Sequence, residues 1–370
     1  MKRALVIVGC ALLLLSAGLG WSWSQWTQRR PVVGHFTTQR VRVPSGMNMS
    51  VLADTLTARG LLRHRIVMLV GARVSGQAHR LQAGLFEVAP GLAVRELVDL
   101  FTRPGLPPAR VTIPEGLDAG QTARLLAGSL GFSSQAFLDA ADRATGVTWR
   151  ERGGAGARVA CALLDSVLVA EAVAAGRVFH RCEGYLAPDT YFFAEDAEPG
   201  DVAQRLIATQ FARLDSVFAG PRSPAAAGLT PHQLLTLASI IEAETSVPEE
   251  RARVGAVYLN RLRLGWNLEA DPTVAFALQK KGQRLLFRDL EAESAFNTYR
   301  RAGLPPGPIG SPGLASILAA GRPDPACRAL FFVADGSGGH VFTATGAEHE
   351  AAVRRYRARR EASAAPAPHR

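Results

Sequence analysis

Apolar and polar positions change rhythm several times along the chain. Residues 4–23, ALVIVGCALLLLSAGLGWSW, carry no charge and follow Lys2 and Arg3. An α-helix of about 20 apolar residues is long enough to cross a hydrocarbon core. The run exceeds the apolar region of a cleaved signal peptide, and Trp21, Trp23 and Trp26 at its end suit a membrane interface. Residues 1–25 are therefore expected to anchor the chain in a membrane, with 26–39 as a juxtamembrane linker and the remainder outside.

Beyond the anchor, a short alternation followed by helical spacing occurs twice. VRVPSGMNMSVLADTL (Val41 to Leu56) lies on VTIPEGLDAGQTARLL (Val111 to Leu126), with Pro44, Gly46, Ala53 and Leu56 matched by Pro114, Gly116, Ala123 and Leu126. Alternating apolar residues predict a strand, Pro-x-Gly a turn, and the spacing after it a helix. Between the copies, GLLRHRIVMLVGARVSG predicts a second helix, and RLQAGLFEVAPGLAVRELVDLF a second strand and helix. Residues 40–104 thus make one small module, whose order resembles the LysM-like peptidoglycan-binding fold. RPGLPPAR is expected to link it to a larger domain over 105–352, with helices near Gly120–Leu130, Ser134–Arg143 and Asp201–Phe218, and a basic tail over 353–370. The expected fold class is α+β.

The best-marked helix starts at Thr230, where Pro231 and Gln233 complete a capping box with proline in the first turn. In LLTLASIIEAETSVPEE, Leu234, Leu237, Ile240 and Ile241 share a face, and Glu244 falls on the shoulder of that stripe near the helix end. Ser246 is expected to cap the next helix. Glu242 points about 160° away from Glu244 on a wheel of about 100° per residue, so the two cannot serve one small site. Lost solvation and the negative end of the helix dipole both raise the pKa of such a carboxyl group. A carboxylic acid still protonated near neutrality meets the requirement for general acid in glycosidic cleavage. Taken alone, a helix-terminal glutamate reads as readily as a capping or ion-pair residue.

Composition changes this picture in few places. The net charge of +10 over 370 residues comes from scattered arginines that cluster only in the terminal RRYRARREASAAPAPHR, so a tail that is solvated or touches an anionic surface is favoured over nucleic-acid binding. Cys10 lies in the anchor, and Cys161, Cys182 and Cys327 show no C-x-x-C or Cys/His spacing, so no metal is expected. A Cys161–Cys182 disulfide and buried free thiols both stay open. Lysine occurs only at Lys2, Lys280 and Lys281, the last two in a Gln-Lys-Lys-Gly turn, which argues against Schiff-base chemistry with pyridoxal phosphate.

Further chemistry-bearing blocks surround the glutamate helix: EGYLAPDTYFF upstream, then VYLNRL, EADPTV, FNTYRRAGLPPGPIGSPG and FFVADGSGGHVF. Asn260 and Arg261 read as ligands for N-acetyl groups or peptide carboxylates, or as structural residues. Asp271, before Pro272 and Thr273, reads as a helix cap or as a second carboxylate. Asn297, Thr298 and Tyr299 stand on a Gly/Pro-rich loop of the kind that forms binding walls. His340 reads as a ligand or base, or as a turn residue bonded to backbone.

Together with the EAET block, these motifs resemble the MltG/YceG family of membrane-anchored endolytic murein transglycosylases from Val111 to Phe342. The stretch from Arg150 to Cys182 departs from the family pattern. The resemblance implies a lysozyme-like, YceG-type catalytic domain with Glu244 as acid and base, Glu242 being the fallback. It implies substrate binding by Asn260, Arg261, Asp271, Thr273, Asn297, Thr298, Tyr299 and His340, with no cofactor and no metal. The implied partners are peptidoglycan glycan strands, the cytoplasmic membrane and peptidoglycan synthases, with the catalytic domain on the extracytoplasmic side. The implied reaction cuts MurNAc-GlcNAc β-1,4 bonds within nascent strands, leaves 1,6-anhydroMurNAc ends and so terminates polymerisation. A lysozyme-type hydrolase with Asp271 or Asp189 as second carboxylate, and a non-catalytic wall-binding scaffold, are the alternatives.

Overall fold

A computed structural model describes residues 2–28, 37–44, 46–148, 166–168, 170, 179–194 and 196–364. The fold is α+β, mostly helical, with small two-stranded sheets. Its contacts divide it into one unit of Met1–Ala109 with Phe192–Asp196, and another of Arg110–Tyr191 with Ala197–Arg370.

The first unit begins with helix α1 (Lys2–Thr27) and continues as β1 (Gln39–Val43), α2 (Met49–Ala58), α3 (Arg65–Val74), β2 (Gly84–Val88) and α4 (Val94–Phe101). β1 and β2 pair antiparallel from Gln39↔Val88 to Val43↔Gly84. Apolar alternation puts Val41, Val43, Phe86 and Val88 on one sheet face, where they meet Leu52 and Leu56 of α2 and Met68 of α3 in a closed core. The end of α1 belongs to this unit. Trp26 packs against the core, in a space that exists because residue 71 is glycine: a Cβ there would lie 2.0 Å from the indole ring. One and a half turns earlier, Trp21 meets His64 edge-on, ring centroids 4.9 Å apart. Among the described residues no helix is long and apolar enough to cross a membrane, so the anchor expectation is carried forward on the sequence of residues 4–23 alone. The expected linker does not hang free. The Leu106 amide donates to Leu85 O at 2.7 Å, and a Cβ on Gly105 would stand 2.6 Å from that same oxygen.

The second unit runs β3 (Ala109–Thr112), α5 (Ala119–Leu130), a helix at 134–148 (α6), β4 (Thr190–Phe193), α7 (Pro199–Ala219), α8 (Pro224–Ala227), α9 (Pro231–Glu244) and α10 (Arg251–Leu264). It ends with α11 (Asp271–Ala277), α12 (Leu314–Gly321), the hairpin of β5 (Phe331–Ala334) and β6 (His340–Thr343), and α13 (Gly346–Ala364). The repeat read in the sequence is structural. Gly46 and Gly116 both turn the chain with positive φ, +84° and +76°, which only glycine adopts without strain. Two residues on, the side chains of Asn48 and Asp118 cap α2 and α5 by accepting from the amides of Val51 and Gln121.

Helix α9 is the centre of this unit. The capping box formed by Thr230 and Gln233 is present, with Pro231 in the first turn. Leu234, Leu235, Leu237, Ala238, Ile240 and Ile241 are all fully buried, so the helix is enclosed on every side rather than by a single stripe. α12, α10 and α7 surround it. Its successor is capped differently from expectation. A short 3-10 turn, Pro248–Glu250, leads into α10; Val247, not Ser246, precedes it, and the Thr245 hydroxyl accepts from the Val247 amide at 3.0 Å. The basic tail is likewise more ordered than a frayed terminus, being helical to Ala364. Most of the divergent stretch, including Cys161, lies outside the described residues, while Cys182 is a buried free thiol and Cys327 a partly exposed one.

Candidate functional site

Glu244 is the last residue of α9, where buried helix meets an open loop. The Tyr258 hydroxyl, from α10, donates to its Oε1 at 2.5 Å. Tyr258 is itself 1% exposed and rests edge-on against Phe332 of β5, which fixes the hydroxyl in place. Burial raises the Glu244 pKa to about 7; the Tyr258 hydrogen bond and Arg261 pull it down, and nearby Asp271 pushes it up. The result is a carboxyl group poised between acid and base at neutrality, with an O–H donor ready to hold it when ionised.

Asp271 faces the same region. It is the first residue of α11, whose N-cap is Ala270, so the capping role is set aside. Its Oδ1 instead accepts from the Tyr299 hydroxyl at 2.6 Å. Burial and the Asp271 carboxylate raise the Tyr299 pKa, which keeps the phenol protonated. Glu269, two residues before Asp271, has φ of +49°, unusual for a residue with a side chain. The Arg261 guanidinium donates to the carbonyls of Leu268 and Leu330 and to the Glu269 carboxylate, pinning that bend.

The other polar residues predicted for the site divide by accessibility. Thr273 and Asn297 are 0% exposed and Thr298 1%. The hydroxyls of Thr273 and Thr298 lie 2.9 Å apart, and Thr298 Oγ1 accepts from the Ala270 amide, tying the loop to the start of α11. Asn297 donates to the carbonyls of Leu290 and Ala292, and Asn260 to those of Cys327 and Ala329. These residues, with Arg261, are engaged in holding the loops around Glu244. His340 is also held internally: both its amide and its Nδ1 meet the Glu250 carboxylate, at 2.8 and 2.7 Å.

Glu242 projects to the opposite side of α9. Its Oε2 accepts from the Gly313 amide at 3.0 Å, and Arg251 approaches its Oε1 at 3.4 Å. Glu115, a residue that the sequence did not single out, comes to the same place. Burial and Glu242 raise its pKa, and the two carboxyl groups share a hydrogen bond. The Gly/Pro-rich loop ending at Gly313 has no room for side chains here: a Cβ would lie 2.7 Å from Gly116 O at Gly310 and 1.8 Å from Glu115 at Gly313. From behind, the Ser239 hydroxyl accepts from the Ile309 amide, Gln210 donates to Pro312 O, and His232 Nε2 lies 2.8 Å from Pro306 O. The loop is a fixed wall. Tyr258 and Glu115 were missed because each meets its glutamate only through tertiary folding; the one available signal was their position in motifs, VYLNRL and the Pro-x-Gly turn.

Among the described residues, no group of three or more His, Cys, Asp or Glu side chains could hold a metal ion. Lys280 is paired with Asp289, and Lys281 donates to Gly116 O.

The geometry can be set beside known proteins. The YceG-like family matches residues 41–355. A Bacillus subtilis (strain 168) protein named endolytic murein transglycosylase is 29% identical over 322 residues, covering 86% of this chain and 85% of its own. A Streptococcus pneumoniae (serotype 2, strain D39) protein of the same name is 28% identical over 324 residues, covering 83% of this chain and 56% of its own. A crystal structure of a YceG-like protein from Listeria monocytogenes superimposes with a TM-score of 0.53 over 85% of this chain and 98% of that one; at 24% identity it speaks for the fold. With so much of its length matched, from the small module to the last helix, the chain belongs to the YceG-like family.

Proposed function

We propose that this chain is an endolytic murein transglycosylase, and that Glu244 is its acid and base. The single observation that carries the assignment of the residue is a carboxyl group with a pKa of about 7, desolvated at the end of α9 and held by a buried tyrosine hydroxyl. The relatives' shared name supplies the reaction class. Protonated Glu244 gives its proton to the oxygen between N-acetylmuramic acid and N-acetylglucosamine as the bond to C1 breaks. The carboxylate, steadied by Tyr258, then takes the proton of the muramyl C6 hydroxyl, whose oxygen closes on C1. The product is a 1,6-anhydro sugar, and Glu244 ends the cycle protonated. One residue serves both steps because the proton it gives to the leaving oxygen is replaced by the one it takes from the C6 hydroxyl. Cutting nascent strands in this way ends their polymerisation.

Tyr299 and Asp271 are the partly accessible polar groups nearest the acid and are assigned to the substrate side of the site. Residues 1–25 hold the chain in the cytoplasmic membrane with the catalytic unit outside, where glycan strands and their synthases lie, and the small module, LysM-like in its order of elements, binds the wall. Asp271 also gives the hydrolase reading its one support, since its charge already acts on Glu244. Mass spectrometry of uncross-linked glycan digested by the full chain separates the two. Ends lighter by one water than a reducing end are expected; reducing ends carrying oxygen-18 from solvent would overturn the transglycosylase assignment.

A further inference from the structure

The contacts of α1 with α3 set the level of the small unit against whatever α1 spans. Trp21 meets His64 at the N-terminus of α3, and Trp26 fills the space over Gly71 two turns later. The two helices therefore advance in the same direction, and the corner between α2 and α3 lies level with Trp21. In the sequence the uncharged run ends at Trp23. An apolar helix that spans a bilayer emerges where its charge-free stretch stops, and tryptophan marks that boundary.

That corner has the composition of a lipid-facing surface. Ile66, an apolar residue in the first turn of α3, is 72% exposed. Arg59 and Arg63 precede it in the same corner and are exposed, the former donating to Arg40 O, and Arg65 is partly buried and paired with Asp54. Between residues 37 and 109 the unit carries nine arginines against four carboxylates. Isolated exposed apolar residues need no explanation, but an exposed isoleucine on an arginine-rich corner at the height of an interfacial tryptophan fits the headgroup layer, where basic side chains meet lipid phosphates and an apolar one enters the acyl boundary. Val70 and Val74 continue the same side of α3 and are 52% and 83% exposed. At about 1.5 Å per residue, Val74 stands about 12 Å further from the bilayer than Ile66 when α3 follows α1.

We propose that the α2–α3 corner, Arg59 to Ile66, docks into the headgroup layer of an anionic membrane, so that α1 and the corner together hold the small unit at a fixed height on the bilayer. The inference rests on the membrane-anchor reading of residues 1–25, and its test keeps the two apart. A benzophenone amino acid is introduced singly at Leu14, Ile66 or Val74, each at least 72% exposed, in the full chain reconstituted into vesicles of phosphatidylethanolamine and phosphatidylglycerol. After illumination, lipid adducts are read by mass.

Adducts are expected at Leu14 and Ile66, with several-fold less at Val74. Omitting phosphatidylglycerol, or introducing Arg59→Ser with Arg63→Ser, should reduce the Ile66 adduct several-fold and leave that at Leu14 unchanged. No adduct at Leu14 overturns the anchor reading itself. An adduct at Leu14 with none at Ile66, or crosslinks from Ile66 to a second copy of the chain, overturns the docking surface while sparing the anchor. An Ile66 adduct indifferent to anionic lipid and to the arginines overturns the headgroup contact.

Discussion

Glu242 and Glu244 leave the same helix two residues apart and reach opposite conditions. On one side, Glu242 meets an amide donor and a guanidinium, and shares a hydrogen bond with a second carboxyl group, so its oxygens are committed to holding the loop at Gly313. On the other, Glu244 meets a single phenol, and burial lifts it toward neutrality. The contrast shows that a carboxyl group is made structural or reactive by its surroundings: several fixed partners tie up the oxygens of one, whereas a single donor in a desolvated corner leaves the other a proton to give.

The largest break in this comparison is Glu244→Gln. The amide keeps the shape and has no acidic proton, so cleavage of glycan should fall by about 10²–10⁴-fold while glycan binding persists. Retained turnover with Glu244→Gln, or an equal loss with Glu242→Gln, would reverse the roles of the two residues.

The same substitution should act on stability with a definite sign. Glu244 binds its proton more tightly in the folded chain, at a pKa of about 7 against 4.5 for the free group. Its favourable contribution is therefore complete below 4.5 and lost as pH rises through 7. At the upper end the buried charge costs up to about 3 kcal/mol. Glu244→Gln should raise the melting temperature above neutrality and have little effect in acid, a stability gain at the expense of activity. A melting curve that shifts equally at both ends would contradict the raised pKa.

Glu242→Ala should behave as a structural loss. The Gly313 amide is left without its acceptor, a change of about 1–3 kcal/mol. For a domain of this size each kcal/mol lowers the melting temperature by about 2–4 °C. Calorimetry checks this, and an unshifted transition would show that the loop is held without Glu242. The smallest effect is expected of Tyr258→Phe. Removing the hydroxyl takes away a bond that favours the ionised form of Glu244, so the alkaline fall in the pH–rate profile should move to higher pH; movement to lower pH would contradict the donor role.

These pairs also show what the sequence could express. The strand–turn–helix repeat was legible because Gly46 with Asn48, and Gly116 with Asp118, act within a few residues of their own turns. The position of Glu244 at the end of a buried helix was legible because its place on the wheel and at the helix end are local facts. Residue type does not disclose accessibility: Asn297, Thr298 and Thr273 bond buried backbone, and nothing in their spacing reveals which way they face. Glu115 lies 127 positions before Glu242, a pairing that only the packed unit creates.

That separation bears on how the chain is made. Glu115 leaves the ribosome early, Glu242 much later, and the Gly313 amide that joins them later still. A domain dominated by such distant pairings closes only when nearly all of it is present. Until then two carboxyl groups face each other without the third partner, and the wall of the site has no footing. The loop wall at Gly313 thus takes shape only near the end of synthesis, after most of the chain has been made.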